Sequence, residues 1–314
     1  MSFFKKLYSH PLGSLLCIGL DTDYEKIPAW FKRSALETIT MGRANFAPGE
    51  DGVIAMHSFI AQSEQAAFEI ISNFNLQMIR ATGEFASCFK LNLGFYLNQG
   101  VAGLKALCAT VRSIHSHDVP VILDGKFADI GNSSAQYAHF AYEVIGADAV
   151  TVSPYLGRID ALEPFLGRGD KGVFVLCHTS NKGAAELQEE SIQLGFSLYM
   201  QVAKLAATKW NANENCGLVA GATYPQELLV VRANVGDKVS LLVPGIGKQE
   251  GELEASVING LNSLGTGAIF NVSRDIIYAS SGEDAFQVAR TRAEWYHNQM
   301  SGFRNSAMGA KVTS

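Results

Sequence analysis

Eight short apolar runs recur along the chain, with helix-period segments between them. They are LLCIGL (15–20), SCFKLN (87–92), VPVILD (119–124), DAVTVS (148–153), GVFVLC (172–177), CGLVAG (216–221), SLLVPG (240–245) and GAIFNV (267–272). None alternates cleanly between apolar and polar residues, which is the pattern of strands covered on both faces. Helical spacing runs through 54–80, 101–117, 136–144, 187–209 and 285–299. Buried strands alternating with helices predict a parallel sheet, and eight is the number that closes a (β/α)8 barrel. An open doubly wound sheet should offer GxGxxG after its first strand, and GLDTDYEK (19–26) carries nothing of the kind. The expected fold is therefore α/β, a single-domain (β/α)8 barrel over residues 1–300. The breaker-rich MGRANFAPGEDG (41–52) predicts a surface insertion near 38–53. The weakly apolar residues 301–314 predict a flexible C-terminal tail.

Composition narrows the function. A chain of 314 residues, 47% hydrophobic, can bury a large core. Its net charge of −5 gives no electrostatic footprint for nucleic acid or anionic membrane. No apolar stretch approaches the length of a bilayer span, and MSFFKKLYSH lacks the continuous apolar region of a secretory signal. The five cysteines, Cys17, Cys88, Cys108, Cys177 and Cys216, are odd in number and form no CxxC pair. A cytoplasmic protein is expected. No HxxxH or Cys/His cluster has zinc-site spacing, and there is no GxSxG elbow or Walker loop, so neither a metal nor a cofactor is expected.

In a barrel, chemistry sits where the strands end at their C-terminal side. Polar residues collect there: Asp21 after the first run, Lys90 and Asn92 at the second, and Asp124, Lys126 and Asp129 at the third. Ser153 ends the fourth, and Thr179, Ser180 and Asn181 follow the fifth. Singly, such groups are usually solvated loop residues, and Ser153 and Asn181 stay ambiguous on that ground. His178 reads as a local hydrogen-bonder. VILDGKFADIGNSS (121–134) is different, because it sets two carboxylates around one lysine directly after a buried run. Taking one such ion out of water costs several kcal/mol unless it is paired or working. Residues two apart on a strand share a side, so Asp124 and Lys126 should both face the barrel mouth, as a local ion pair or as a working set. At the last two strands, PGIGKQEGE (244–252) offers Gly245, Gly247 and Gln249, and NVSRD (271–275) offers Arg274. Loops after strands seven and eight often build phosphate sites, and the arginine fork suits a phosphate, so a phosphorylated substrate is favoured.

With these residues in view, the chain from about Ser14 to Ala279 closely resembles the orotidine 5′-monophosphate decarboxylase family. The most specific element is DxKxxDI, present as Asp124, Lys126, Asp129 and Ile130. LCIGLD, FKLNLGFY, TVSPYLGRIDALEPFL, GVFVLCHTSNKGAAELQ and LLVPGIGKQEG support it in the expected order. The resemblance implies cofactor-independent decarboxylation of orotidine 5′-monophosphate to UMP in pyrimidine biosynthesis. It implies that Lys90, Asp124, Lys126 and Asp129 form an alternating charged network with Lys126 as proton donor. It also implies a homodimer with shared sites, in which Asp129, Ile130 and Ser133 reach the neighbouring subunit's pocket. By the same carry-over, Asp21 and Lys90 hold ribose hydroxyls, Ser180 faces the pyrimidine, and Gln249 and Arg274 grip the phosphate. One departure is Lys182, where the subgroup carries a stiffening proline after TSN.

The implied reaction leaves a carbanion with no adjacent carbonyl sink, so preorganised charge must stabilise it. A lysine between carboxylates is favoured in its charged form and can then give up a proton. A magnesium-dependent keto-sugar-phosphate decarboxylase or synthase of the same superfamily is the nearest alternative. It needs a further carboxylate at the end of strand two, where this chain has Lys90. A Schiff-base aldolase would need Lys126 to lose its proton, against the pull of Asp124 and Asp129. A barrel that only binds a phosphorylated ligand is the non-enzymatic alternative.

Overall fold

The computed structural model describes residues 2–41, 52–191, 195–247 and 250–312. Eight strands form where the apolar runs lie: β1 (Leu16–Gly19), β2 (Cys88–Asn92), β3 (Val121–Phe127), β4 (Ala149–Val152), β5 (Gly172–His178), β6 (Cys216–Ala220), β7 (Leu241–Pro244) and β8 (Ala268–Val272). All neighbours pair in parallel, and β8 returns to β1 through Leu16↔Phe270 and Cys17↔Asn271, closing the barrel. Closure leaves no free sheet edge, so every strand is covered by interior side chains on one face and by helices on the other.

The faces separate by residue parity. Cys17, Cys88, Ile122, Ala149, Phe174, Val219, Leu242 and Ile269, one from each strand, fill the interior together with Phe3 and Leu7. Those last two come from the short helix Phe3–Leu7, which plugs the end of the barrel opposite the site. Phe3 sets its ring edge-on to Phe174 at 6.0 Å and its N–H on Asp170 O at 3.1 Å. The outward-facing strand residues join a larger core with the helices.

Two local expectations change, and a third falls outside the described residues. Residues 301–312 of the expected flexible tail are helical, because the helix Ala285–Val312 runs through them. Tyr296 and Met300 are buried on this helix and Phe303 packs beside them, a spacing of four and three residues that keeps one stripe on the barrel. Arg304 Nη1 then donates to Gly13 O at 2.6 Å. Helix over 187–209 begins only at Leu198 and runs to Trp210, its last turn widened. Before it the chain doubles back, with Tyr199 N on Gln188 O at 3.0 Å, Leu198 N on Glu190 O at 3.1 Å and a bridge between Ser191 and Ser197. The expected insertion lies between the helices Ala29–Met41 and Gly52–Thr82, and its centre, 42–51, falls outside the described residues.

Candidate active site

The interior layer predicts where the polar residues point. Two residues beyond Cys88, Ile122 and Ala149 stand Lys90, Asp124 and Thr151, so all three project inward, one layer nearer the mouth. Asp21 follows the end of β1 beside them.

Asp124 is the hub. Its Oδ2 accepts from Lys90 Nζ at 2.9 Å and from Asn92 Nδ2 at 3.5 Å. Its Oδ1 accepts from Lys126 Nζ at 2.7 Å and Thr151 Oγ at 2.8 Å. Lys90 Nζ also lies 3.5 Å from Asp21 Oδ1, which in turn accepts from Asn92 N at 3.2 Å. The side chains of Lys90 and Asp124 are only 5% and 8% exposed, whereas Lys126 is 50% exposed, so the chain of charges runs from the interior out to solvent. Burial alone would push Lys90 down, but the carboxylates of Asp124 and Asp21 overcome it and raise it above its ordinary value. Burial alone would push Asp124 up, but Lys90 and Lys126 overcome it and hold its carboxyl well below the usual range. Two carboxylates and two ammonium groups sum to zero, which is what lets the buried members stay ionised.

Lys126 breaks the strict alternation expected for Asp124 and Lys126. The β3–β4 register shifts between Leu123 and Phe127, and Lys126 takes φ +46°, a left-handed conformation uncommon outside glycine. Its N–H is held by Thr151 Oγ at 2.9 Å, and its ammonium still reaches Asp124.

Asp129, Ile130 and Ser133 do not join this set within one chain. Asp129 Oδ1 accepts from Ile130 N at 2.8 Å, and among the described residues it makes no ion pair with Lys126. Ile130 is exposed, Ser133 lies on the exposed side of the helix Gly131–His139, and Tyr155, on the loop after β4, and Ile159, in the helical turn Arg158–Leu162 that follows, are exposed large apolar residues.

Two clefts open at the mouth. One, of about 450 Å³, is lined by Lys90, Asp124, Lys126, Thr151, Ser180 and Asn181. The other, of about 640 Å³, is lined by Asp21, Gly245, Gly247, Ser273, Arg274 and Tyr278. They lie side by side, since Asp21 of the second is paired with Lys90 of the first and Pro244 of the first precedes Gly245 of the second in the chain. Ser180 sits where it does because residue 221 is glycine: a Cβ there would come within 2.8 Å of the Ser180 backbone. Gly245 has φ +95°, a turn that side-chain-bearing residues rarely adopt. Gln249 lies outside the described residues.

The ambiguous polar residues resolve into local roles. Ser153 Oγ accepts from Tyr155 N at 3.4 Å, and Asn181 Oδ1 accepts from Thr179 Oγ1 at 2.6 Å. His178 Nε2 meets Glu189 Oε1 at 3.1 Å. The sequence alone does not single out Thr151 or Tyr278. Thr151 is one hydroxyl inside an apolar run, and its parity with Ala149 was the available signal. Tyr278 Oη accepts from Asp23 N at 2.7 Å, tying the Asp21 loop to the Arg274 segment, a contact across 255 positions that no local pattern announces.

Among the described residues, no group of three or more His, Cys, Asp or Glu side chains is arranged to hold a metal ion, and no helix is long and apolar enough to cross a membrane.

Comparison with known proteins agrees with the barrel fold. The chain is 45% identical over 237 residues to the orotidine 5′-phosphate decarboxylase of Bordetella petrii, covering 75% of this chain and 86% of that protein. It is 40% identical over 293 residues to the enzyme of that name from Janthinobacterium sp., covering 92% and 94%. Among solved structures, Leishmania donovani OMP decarboxylase superposes with a TM-score of 0.74 at 34% identity, covering 97% of this chain and 99% of that one. Residues 14–288 match the model of the orotidine 5′-phosphate decarboxylase / HUMPS family, and the chain belongs to that family.

Proposed function

We propose that this chain decarboxylates orotidine 5′-monophosphate to UMP without a cofactor, as a step of pyrimidine biosynthesis. The observation that carries the reading is the Asp124 carboxylate held ionised between a buried lysine and one that opens into the cleft. In this reading the pyrimidine lies over Lys126 and Ser180, the ribose hydroxyls meet Asp21 and Lys90, and the phosphate takes Arg274 and the loop at Gly245 and Gly247. Gln249 would be the phosphate's further donor.

The C–C bond to the carboxylate breaks, CO2 leaves, and the electron pair stays on the ring carbon. Lys126 puts a fixed positive charge beside that carbon and then delivers its proton, and water restores it. Asp124 keeps the ammonium oriented at no cost of reorganisation when charge develops. Phosphate contacts far from the reacting carbon can offset the cost of bringing the substrate carboxylate toward Asp124.

Lys90 favours this reading over the magnesium-dependent one. Its ammonium stands between Asp21 and Asp124, so the position where the alternative needs another anion already carries a cation.

We further propose a homodimer in which Asp129, Ile130 and Ser133 complete the partner's site. Their exposure, and the separation of Asp129 from Lys126 in one chain, support it. Cytoplasmic residence is part of the same reading, supported by five free cysteines.

Protein dialysed against EDTA and mixed with orotidine 5′-monophosphate tests the proposal through loss of the orotate chromophore. Conversion to UMP at an undiminished rate is expected. Activity only on a keto-sugar phosphate after magnesium is restored would hand the site to the alternative, and binding of UMP without turnover on either substrate would leave a ligand-binding barrel.

A further inference from the structure

We infer that Thr151 is a positioning residue that couples the Asp124 carboxylate to the left-handed backbone carrying Lys126. The inference rests on the proposed role of Lys126 as proton donor.

Thr151 is 1% exposed and lines the floor of the cleft that holds the charged set. A hydroxyl has one hydrogen to give and two lone pairs to receive. Here both capacities are assigned by chemistry. A carboxylate oxygen cannot donate to its 2.8 Å partner, so Thr151 gives its hydrogen to Asp124 Oδ1. A backbone N–H cannot accept, so the Lys126 amide gives its hydrogen to Thr151 Oγ at 2.9 Å. The hydroxyl therefore bridges the two members of the Asp124–Lys126 pair, both on β3, from the neighbouring strand β4.

That bridge acts on both ends of the pair. Asp124 receives two donors on each oxygen, and Thr151 is the one on Oδ1 besides Lys126 itself. With Thr151 in place, the carboxylate plane is fixed by groups other than the reacting lysine. At the other end, Lys126 sits at φ +46°, inside the stretch between Leu123 and Phe127 where the β3–β4 register shifts and the regular ladder is interrupted. The Thr151 hydroxyl supplies the acceptor that the ladder does not. Thus Thr151 sets where the ammonium begins its reach, and Asp124 sets where it ends.

Thr151→Val keeps the shape and removes the hydroxyl, while Thr151→Ser keeps the hydroxyl. For Thr151→Val, kcat on orotidine 5′-monophosphate is expected to fall about ten- to hundred-fold, the scale of a misplaced reacting group. UMP affinity should change less than about three-fold, since the donor and not the nucleotide grip is disturbed, and Thr151→Ser should recover most of kcat. Thr151→Val with kcat unchanged, or with kcat and UMP affinity falling together, overturns the inference. If Thr151→Val does not fold, Thr151→Ala against Thr151→Ser decides, and equal kcat in those two overturns it. Lys126→Ala run alongside separates the two claims. If Lys126→Ala still turns over substrate, the proposed donor is wrong. If Lys126→Ala is inactive and Thr151→Val is normal, the positioning role alone is wrong.

Discussion

Lys90 Nζ and Asp124 Oδ2 lie 2.9 Å apart, with both side chains almost entirely out of water. Such a pair is an expensive way to hold a barrel together, because apolar residues of similar volume often serve stability as well or better. Its value lies in what it holds in place, since Asp124 spends its other oxygen on Lys126 and Thr151.

Breaking the pair from one side should be costly. Asp124→Ala leaves the buried Lys90 ammonium with only the longer 3.5 Å contact to Asp21, and a loss of about 3–5 kcal/mol in unfolding free energy is expected by denaturant titration. A change below about 1 kcal/mol would mean that water or Asp21 already satisfies Lys90.

Lys126→Ala should separate chemistry from folding. The side chain is half exposed, so the melting temperature should move by no more than a few degrees, while turnover falls to background. Substantial residual decarboxylation would remove Lys126 from its proposed role.

The pH dependence of stability follows from the two shifts. Asp124 is held below its unfolded value of about 3.9, so its contribution is complete above that pH and is lost as pH falls through the lower folded value. Lys90 is raised above its unfolded value of about 10.4, so its contribution is complete below that pH and is lost only as pH rises through the higher folded value. Between about pH 5 and 9 the pair should therefore add no slope to unfolding free energy. Asp124→Asn should flatten the acid limb, and an acid limb identical to that of the unaltered protein would show that other carboxylates dominate it.

Arg274→Ala should weaken recognition of the phosphate. A charge-assisted hydrogen bond is worth about 1.5–3 kcal/mol, so kcat/KM on orotidine 5′-monophosphate should drop about tenfold or more, with orotidine itself little affected. Equal losses on both substrates would detach Arg274 from the phosphate.

Sharing of sites across a dimer is open to a mixing experiment. Lys126→Ala and Asp129→Ala chains, each inactive alone, should regain up to about a quarter of full activity after joint refolding. A two-fold heterodimer contains one site with both residues intact, and half the dimers are mixed. No recovery, with mixed dimers demonstrated, would confine Asp129 to its own chain.

The eight strands were legible because each falls in a short, mostly apolar run, and the charged set was legible because Asp124 and Lys126 fall within a few residues of one strand end. The helix beyond residue 300 was legible in principle: Tyr296, Met300, Phe303 and Ala307 keep one stripe, but Gly302, Gly309 and the intervening polar residues thin it below notice. The fold-back before Leu198 was not legible, because its pairing of 188–190 with 198–199 is set by tertiary hydrogen bonds while Leu187 to Lys209 reads as helix-forming. Lys126's left-handed backbone was equally hidden, since sequence alternation assumes a regular ladder and the register shift at β3 depends on β4. Thr151 went unnoticed for the same reason, its meaning lying in a neighbour 27 positions away.

The helix Phe3–Leu7, set against Phe174, has a consequence for traffic. With that end stoppered by aromatic rings, the barrel is a blind alley rather than a passage. Substrate, nucleotide product and carbon dioxide would then share one doorway, beside the fold-back that carries Gln188 and Glu189. The pace of repeated turnovers would depend on how fast that doorway clears, and exchanges in the barrel floor should leave the queue unchanged.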